Sequence, residues 1–347
     1  MNSSSDDKLC SIVIVNFNGK HLLRDCLASV LSQSYSPFEV LLVDNGSTDG
    51  SADFVRSEFR DVRVIESPEN LGFAGGNNLG VQQSKGDLVV LLNNDTVVQE
   101  GWLTHLVEAV LPHDTAVAAS LVLTEGIPER YYERNGSINF LGHNIMRVFA
   151  KPENIFYAGG ASLIYKKKVL GIPFNDDYFA YGEDVYLGLR ARFKGYRIVH
   201  TNASIVKHLG GATAGRQRSR RITMLQERNR VLNIILWFSP SVLVRVAPLL
   251  CMNMVAKVIT SFISARYSVA GILGAYAWLL GHPLRILKMR GVLRSEHIVA
   301  EKEVISWMTA RLTNGESAVA RLIDDLSILY CKVVGLKTIE SLPLGSR

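Results

Sequence analysis

The feature that most constrains this chain is the alternation of two hydrophobic periods across its first 110 residues. Residues 11–17 (SIVIVNF) form an unbroken apolar, β-branched run, the pattern of a strand buried on both faces. Leu22, Leu23, Cys26, Leu27, Val30 and Leu31 then recur at helical spacing. Residues 38–43 (FEVLLV) predict a second strand, 51–59 a helix and 62–65 a third strand. A glycine-rich segment, NLGFAGGNNLG, opens a helix toward Ser84; 87–92 (DLVVLL) predict a fourth strand and 102–111 another helix. Repeated strand–helix units imply an α/β fold, a mostly parallel sheet with helices on both faces. In such sheets ligands bind beyond the carboxyl ends of the strands. The polar clusters fall there: Asn16 and Asn18, then Asp44, then Asn93-Asn94-Asp95.

Farther along, 115–170 read as short strands and loops, 182–193 as a helix, and 196–199 and 203–206 as strands. From residue 231 the texture changes. Segments 231–237 and 242–265 are strongly apolar, interrupted by Arg245, Pro248 and Lys257, and 267–284 hold no Asp, Glu, Lys or Arg. Residues 299–334 return to an amphipathic pattern. The expected division is therefore 1–230 and 231–347, the second an apolar and amphipathic helical region.

Charge is divided as well. Residues 1–185 carry 14 Lys+Arg against 24 Asp+Glu, and residues 186–347 carry 24 against 8, nets of −10 and +16. An acidic front half suits carboxylate chemistry, and a basic back half suits phosphates or an anionic membrane. A nucleic-acid role is a poor fit, because the basic residues follow apolar helices without aromatic interleaving. Four scattered cysteines without CxxC spacing give neither a zinc site nor a disulfide framework. The polar N-terminus lacks a basic leader, so no signal peptide is expected.

Individual residues admit two readings each. Asp95 at a strand end suits a divalent cation, since Mg²⁺ and Mn²⁺ take carboxylate and phosphate oxygens; turn chemistry is the alternative. Asp44 is an acceptor for base or ribose donors, or a turn former within VDNGSTDGS. Gly72, Gly75 and Gly76 permit close backbone approach to a ligand. Glu183 and Asp184 at a helix start are favoured by the helix dipole whatever their function; functionally, Asp184 is a general base kept ionised by that dipole. His208 is a loop histidine or a metal ligand. Arg216, Arg218, Arg220 and Arg221 are a solvated run or a diphosphate clamp.

In order, SIVIVNFNG, VDNGSTDGS, NLGFAGGNN, LLNNDT, YGEDVYLGLR and KHLGG resemble the inverting family-2 glycosyltransferases of the Rossmann-like GT-A fold, their rhamnosyltransferase-like branch most. The resemblance covers roughly residues 10–230. It implies a nucleoside diphosphate sugar donor and Mg²⁺ or Mn²⁺ as cofactor. Asn16, Asp44, Gly75, Gly76, Asn77, Asn93 and Asn94 would bind the donor. Asp95 stands at the second acid of the DxD motif, and Asn93 departs from the first. Asp184, with Glu183 beside it, matches the base, and His208, 24 residues on, matches a metal-binding histidine. Arg216, Arg218 and Arg221 are left as diphosphate or acceptor contacts. The implied reaction moves a sugar, rhamnose among the candidates, to a lipid-linked or polysaccharide hydroxyl. A polyprenyl-phosphate sugar synthase and a non-catalytic sugar-binding scaffold are the alternatives.

The tail is expected to lie on the cytoplasmic face of the membrane as interfacial or re-entrant helices, with Arg245 and Lys257 snorkelling and Arg285, Lys288, Arg290 and Arg294 as a basic flank. A homodimer that buries the same apolar faces is the competing expectation.

Overall fold

The computed structural model describes residues 8–124, 135–147, 155–209, 219–263 and 267–342. Its strands are β1 (Cys10–Asn16), β2 (Phe38–Asp44), β3 (Val62–Glu66), β4 (Leu88–Asn93), β5 (Thr96–Val98), β6 (Thr115–Thr124), β7 (Asn135–Ile138), β8 (Asn144–Arg147), β9 (Ser162–Lys166) and β10 (Arg197–His208). Its helices are α1 (Lys20–Leu31), α2 (Ser51–Glu58), α3 (Gly72–Gln83), α4 (Trp102–Val110), α5 (Lys167–Leu170), α6 (Glu183–Phe193), α7 (Arg220–Trp237), α8 (Pro240–Ile263), α9 (Val269–Gly281), α10 (Pro283–Arg294), α11 (Glu301–Ile305) and α12 (Ala318–Val333). Two compact units divide them. One holds Met1–Tyr132, Ala158–Leu187 and Tyr196–Ala214; the other holds Glu133–Tyr157, Gly188–Gly195 and Gly215–Arg347.

The first unit is built on a sheet in the order β3-β2-β1-β4-β9-β6-β10-β5. β3, β2, β1 and β4 are parallel, β9 runs antiparallel between β4 and β6, and β5 runs antiparallel to β10. This is the α/β fold expected from the alternating periods. Ile12, Val13 and Ile14 of β1 are fully buried because helices cover both faces. Leu23, Cys26, Leu27 and Val30 turn the apolar stripe of α1 onto the same core. The two strands expected at 196–199 and 203–206 are one strand, β10, with a bulge between Thr201 and Ile205. The bulge absorbs the mismatch with β6, so the ladder continues through it.

Helix α3 contradicts its own propensities, since glycines cost roughly 1 kcal/mol each in a helix interior. The gain is a close seat on the sheet. A Cβ at Gly80 would stand 2.4 Å from Val13 Cγ1 and 2.9 Å from Val43 Cγ2, and one at Gly76 would stand 2.7 Å from Val15 Cγ1. Spaced by four, these two glycines lie on one face and let α3 sit directly on β1 and β2.

The second unit holds the β7–β8 hairpin and the helices from α7 onward. The expected boundary at 230/231 falls inside α7, a single 18-residue helix that belongs wholly to this unit. The uncharged run at 267–284 is not one helix either. It stops at Gly281, and Pro283 starts α10 at a position where its missing N–H costs nothing. Lys257 does not snorkel: its Nζ donates to Glu227 Oε2 at 2.6 Å, and Tyr276 Oη donates to the other oxygen at 3.2 Å. Glu227 is only 4% exposed, and a buried carboxylate draws in a cation that would otherwise face outward. Arg245 is exposed. The four cysteines are free thiols, with Cys251 alone exposed.

Candidate functional site

Strand register assembles the first part of the site. Asn16 pairs with Asp44 across β1–β2, and Val15 pairs with Asn93 across β1–β4, so three polar strand ends share one edge. Asn16 is fully buried; its Nδ2 donates to Ser47 Oγ at 3.3 Å and its Oδ1 accepts from Asn94 Nδ2 at 2.7 Å. Asn18 adopts a left-handed φ of 51°, which asparagine tolerates, and its Oδ1 accepts from the Thr48 N–H at 2.8 Å. Gly19 is required beside them, because a Cβ there would stand 2.5 Å from Asn94 Nδ2. These bonds lace the turns after β1, β2 and β4 into one rigid rim.

Asp44 sits on that rim, 5% exposed, and its Oδ1 has no hydrogen-bond partner among the described residues. A buried carboxylate oxygen without a donor is costly, and a ligand N–H or O–H would satisfy it. The neighbouring Asn45 is satisfied: its Nδ2 donates to Gly72 O at 2.9 Å and its Oδ1 accepts from Leu71 N–H at 2.9 Å. That pair of bonds holds the start of α3 against the end of β2.

Asp95 follows β4 in the short turn to β5. Because β5 runs antiparallel to β10, Thr96 lies opposite His208, and Leu209 N–H donates to Asp95 O at 2.9 Å. His208 Nε2 therefore stands 3.1 Å from Asp95 Oδ1. Asp95 Oδ1 accepts no hydrogen bond among the described residues, so a carboxylate oxygen and an imidazole nitrogen face each other at contact distance. One carboxylate oxygen and one imidazole nitrogen fit Mn²⁺ better than Mg²⁺, which prefers oxygen ligands. No group of three or more His, Cys, Asp or Glu that could hold a metal occurs among the described residues, so further ligands would come from a bound diphosphate and water.

Glu183 and Asp184 open α6. Glu183 is 8% exposed and its Oε2 is without a partner, while Asp184 Oδ1 accepts from Val185 N–H at 2.8 Å. Burial, followed by the charge of Asp184, pushes the Glu183 carboxyl up to about 8, and burial raises Asp184 to about 6. Burial therefore acts on Asp184 besides the helix start. Desolvation outweighs the Val185 hydrogen bond, leaving a group that is ionised at neutral pH yet basic enough to take a proton.

Gly75, Gly76 and Asn77 are buried. The space before Gly75 is taken by Leu71, and that before Gly76 by Val15 and Asn45; Asn77 Nδ2 donates to Phe73 O at 2.8 Å. Helix seating accounts for them, so their side-chain positions face protein rather than open space. Arg221 lies exposed in the first turn of α7, in the second unit, and Arg216 and Arg218 fall outside the described residues. Sequence reasoning passed over Asn45, Ser47 and Asn78, whose side chains bind the rim and the segment before Glu183. The available signal was a set of asparagines in turn-forming and glycine-rich stretches, which reads equally as turn chemistry.

Comparison with known proteins accords with this geometry. Residues 11–171 match the family described as glycosyl transferase family 2. The chain is 32% identical over 218 residues to the O-antigen biosynthesis protein RfbC of Myxococcus xanthus, covering 56% of this chain and 17% of that protein. It is 27% identical over 195 residues to the UDP-Glc:alpha-D-GlcNAc-diphosphoundecaprenol beta-1,3-glucosyltransferase WfgD of Escherichia coli, covering 53% of this chain and 70% of that protein. The chain spans well under half the length of the first relatives it matches. Among solved structures it superposes on the mannosyltransferase PcManGT of Pyrobaculum calidifontis, in complex with GDP-Man and Mn²⁺, with a TM-score of 0.51 and 16% identity over 96% of this chain and 85% of that one. The chain thus carries a domain of glycosyl transferase family 2, built on a GT-A fold.

Proposed function

We propose that this protein transfers a sugar from a nucleoside diphosphate donor to a hydroxyl group of a lipid-linked or polysaccharide acceptor, with inversion at the anomeric carbon. The observation that carries the reading is Asp184, a buried carboxylate at the start of α6 that burial raises above its ordinary range, in the same unit as the orphaned Asp44 oxygen and the Asp95–His208 pair. Asp44 accepts from the donor's base or ribose, with Asn16, Asn93 and Asn94 keeping the rim in register. Asp184 takes the acceptor hydroxyl proton, and the oxygen attacks the anomeric carbon opposite the departing diphosphate. Glu183, raised by burial and by the Asp184 charge, disfavours a second negative charge at that point. Asp95 and His208 would hold a divalent cation, which when bound supplies positive charge toward the diphosphate. The lipid-linked acceptor is supported by the name of the WfgD relative.

The reading is tested by nucleoside diphosphate release from uridine, thymidine and guanosine diphosphate sugars, dTDP-rhamnose included, with and without a polyprenyl-diphosphate-linked acceptor. One donor should give acceptor-dependent release. Binding of a donor with neither hydrolysis nor transfer would leave a sugar-binding scaffold instead.

We also infer that the second unit rests on an anionic membrane surface at the cytoplasmic face. Helix α8 is long and apolar enough to cross a bilayer, with a mean hydropathy of 1.8, and only 17% of that stretch is buried. Val244, Met252, Val255, Ile259 and Phe262 form an exposed stripe along it. On α12, Val319, Leu322, Ile323, Leu326, Leu329 and Val333 form a second stripe at helical spacing. Tyr330 Oη donates to Arg245 O at 2.6 Å, so the two helices adjoin. Exposed Arg285, Lys288 and Arg294 supply cations for lipid phosphates. Each apolar side chain is worth about 1.5–3 kcal/mol when fully buried, so Leu326→Asp with Val333→Asp should weaken binding to phosphatidylglycerol vesicles roughly a hundredfold. Unchanged vesicle binding, or a detergent-free soluble dimer, would favour the homodimer.

A further inference from the structure

Asn78 stands in the middle of α3, 2% exposed, where an apolar residue would bury at lower cost. Its partners all lie on the segment that leads to Glu183 and Asp184. Nδ2 donates to Phe174 O at 2.9 Å and to Asp176 Oδ1 at 2.7 Å, and Oδ1 accepts from Phe174 N–H at 3.1 Å. Both amide hydrogens and one acceptor position are thus committed to a segment 96 to 98 residues away in sequence.

The grip is passed forward. Asn175 Oδ1 accepts from Asp177 N–H at 2.9 Å and caps the short 3₁₀ turn Asp176–Tyr178. Tyr178, fully buried, packs its ring 5.3 Å from that of Tyr186, which lies one turn into α6. A second tie runs from the start of α3, where Ala74 N–H donates to Phe179 O at 3.0 Å. At the second tie and just past it the backbone is held in an unfavourable form: Phe179 and Tyr181 have φ of 58° and 73°, left-handed values that aromatic residues rarely adopt. Such a conformation persists only where surrounding contacts over-determine it. Gly72 completes the seat, since a Cβ there would stand 2.3 Å from Phe179 O.

Helix α3 therefore does two jobs. Its N-terminal end is tied through Asn45 to the rim that holds Asp44, and its middle is tied through Asn78 to the segment before Asp184. We propose that Asn78 is a positioning residue for sugar transfer, its side-chain amide clamping residues 174–176 onto α3 and thereby setting where the Asp184 carboxylate stands. The inference rests on the reading of Asp184 as the base. Asn78 touches neither donor nor acceptor and acts through the segment it holds.

The test is steady-state kinetics on the full chain for Asn78→Ala, Asp176→Ala and the double variant, with Asp184→Asn as reference and thermal unfolding recorded for each. In Asn78→Ala, kcat should fall roughly ten- to hundredfold, because a displaced base loses its near-attack geometry. The donor KM should stay within about twofold, since the Asn45 tie is intact. The acidic limb of kcat should move to lower pH as Asp184 gains water. Asp176 is exposed, so its loss leaves the core intact; Asp176→Ala should reproduce part of the fall, and the double variant should be no worse than Asn78→Ala. Should Asn78→Ala not fold, Asp176→Ala decides alone. Wild-type kcat and pH limb, or a loss of kcat matched by a rise in donor KM, would overturn the positioning role. The two readings fail separately. Transfer at the wild-type rate by Asp184→Asn removes the base assignment itself, whereas a strongly slowed Asp184→Asn alongside wild-type kinetics for the Asn78 and Asp176 variants removes only the clamp.

Discussion

Asp184→Asn is expected to reduce kcat by roughly 10²–10⁴-fold, the range that a positioned base contributes, while donor affinity stays within a few-fold. The amide keeps the shape of the side chain and removes only its ability to take a proton. The wild-type rate should depend on pH in a definite direction. A base works deprotonated, so kcat rises as pH climbs through the Asp184 value of about 6 and levels off above it. The cause is burial, which holds the group above the ordinary carboxylate range against the stabilising Val185 N–H. Burial and then the Asp184 charge raise Glu183 as well, so the low-pH limb reports the Glu183–Asp184 pair. Initial rates of nucleoside diphosphate release from pH 4.5 to 8, with donor affinity from calorimetry, check both points. A variant that turns over at the wild-type rate, or a wild-type profile flat across pH 6, would sink the assignment.

The second large effect concerns the Asp95–His208 pair. Asp95→Ala should weaken Mn²⁺ binding in the presence of nucleoside diphosphate by about tenfold or more, and His208→Ala should weaken it too. Neither change should unfold the metal-free protein, because the Asp95 oxygen facing His208 accepts no hydrogen bond among the described residues. Chelation should suppress the wild-type reaction and leave the residual rate of Asp95→Ala little altered. Mn²⁺ affinity by calorimetry or by electron paramagnetic resonance supplies the readout apart from turnover. Equal affinity in wild type and Asp95→Ala would mean that the pair is a structural contact at the β5–β10 junction.

Legibility varied with the range of the interaction. The β1 run and the α1 stripe were readable because local period matches the buried face directly. The polar strand ends were readable because a parallel sheet exposes its carboxyl edge to ligands. The glycines of α3 were harder. Close approach was expected, but its object is Val13, Val15 and Val43 of the sheet, since a missing Cβ says that something comes near and not what it is. The tail misled in the same way. Lys257 reads as a snorkelling cation until Glu227 of α7, 30 residues earlier, turns it inward. The 267–284 run reads as one apolar segment until helix α9 ends at Gly281 and α10 starts at Pro283.

Local composition and period thus settled which stretches become strands and helices, and on which side of the sheet the polar residues gather, because backbone geometry and hydrophobic burial act over a few neighbouring positions. Pairings across long stretches of chain could only be decided by folding: His208 against Asp95, Asn78 against Phe174 and Asp176, and the burial that lifts Asp184. Proximity and desolvation belong to the assembled interior, where a carboxylate's proton affinity depends on neighbours that no local pattern names.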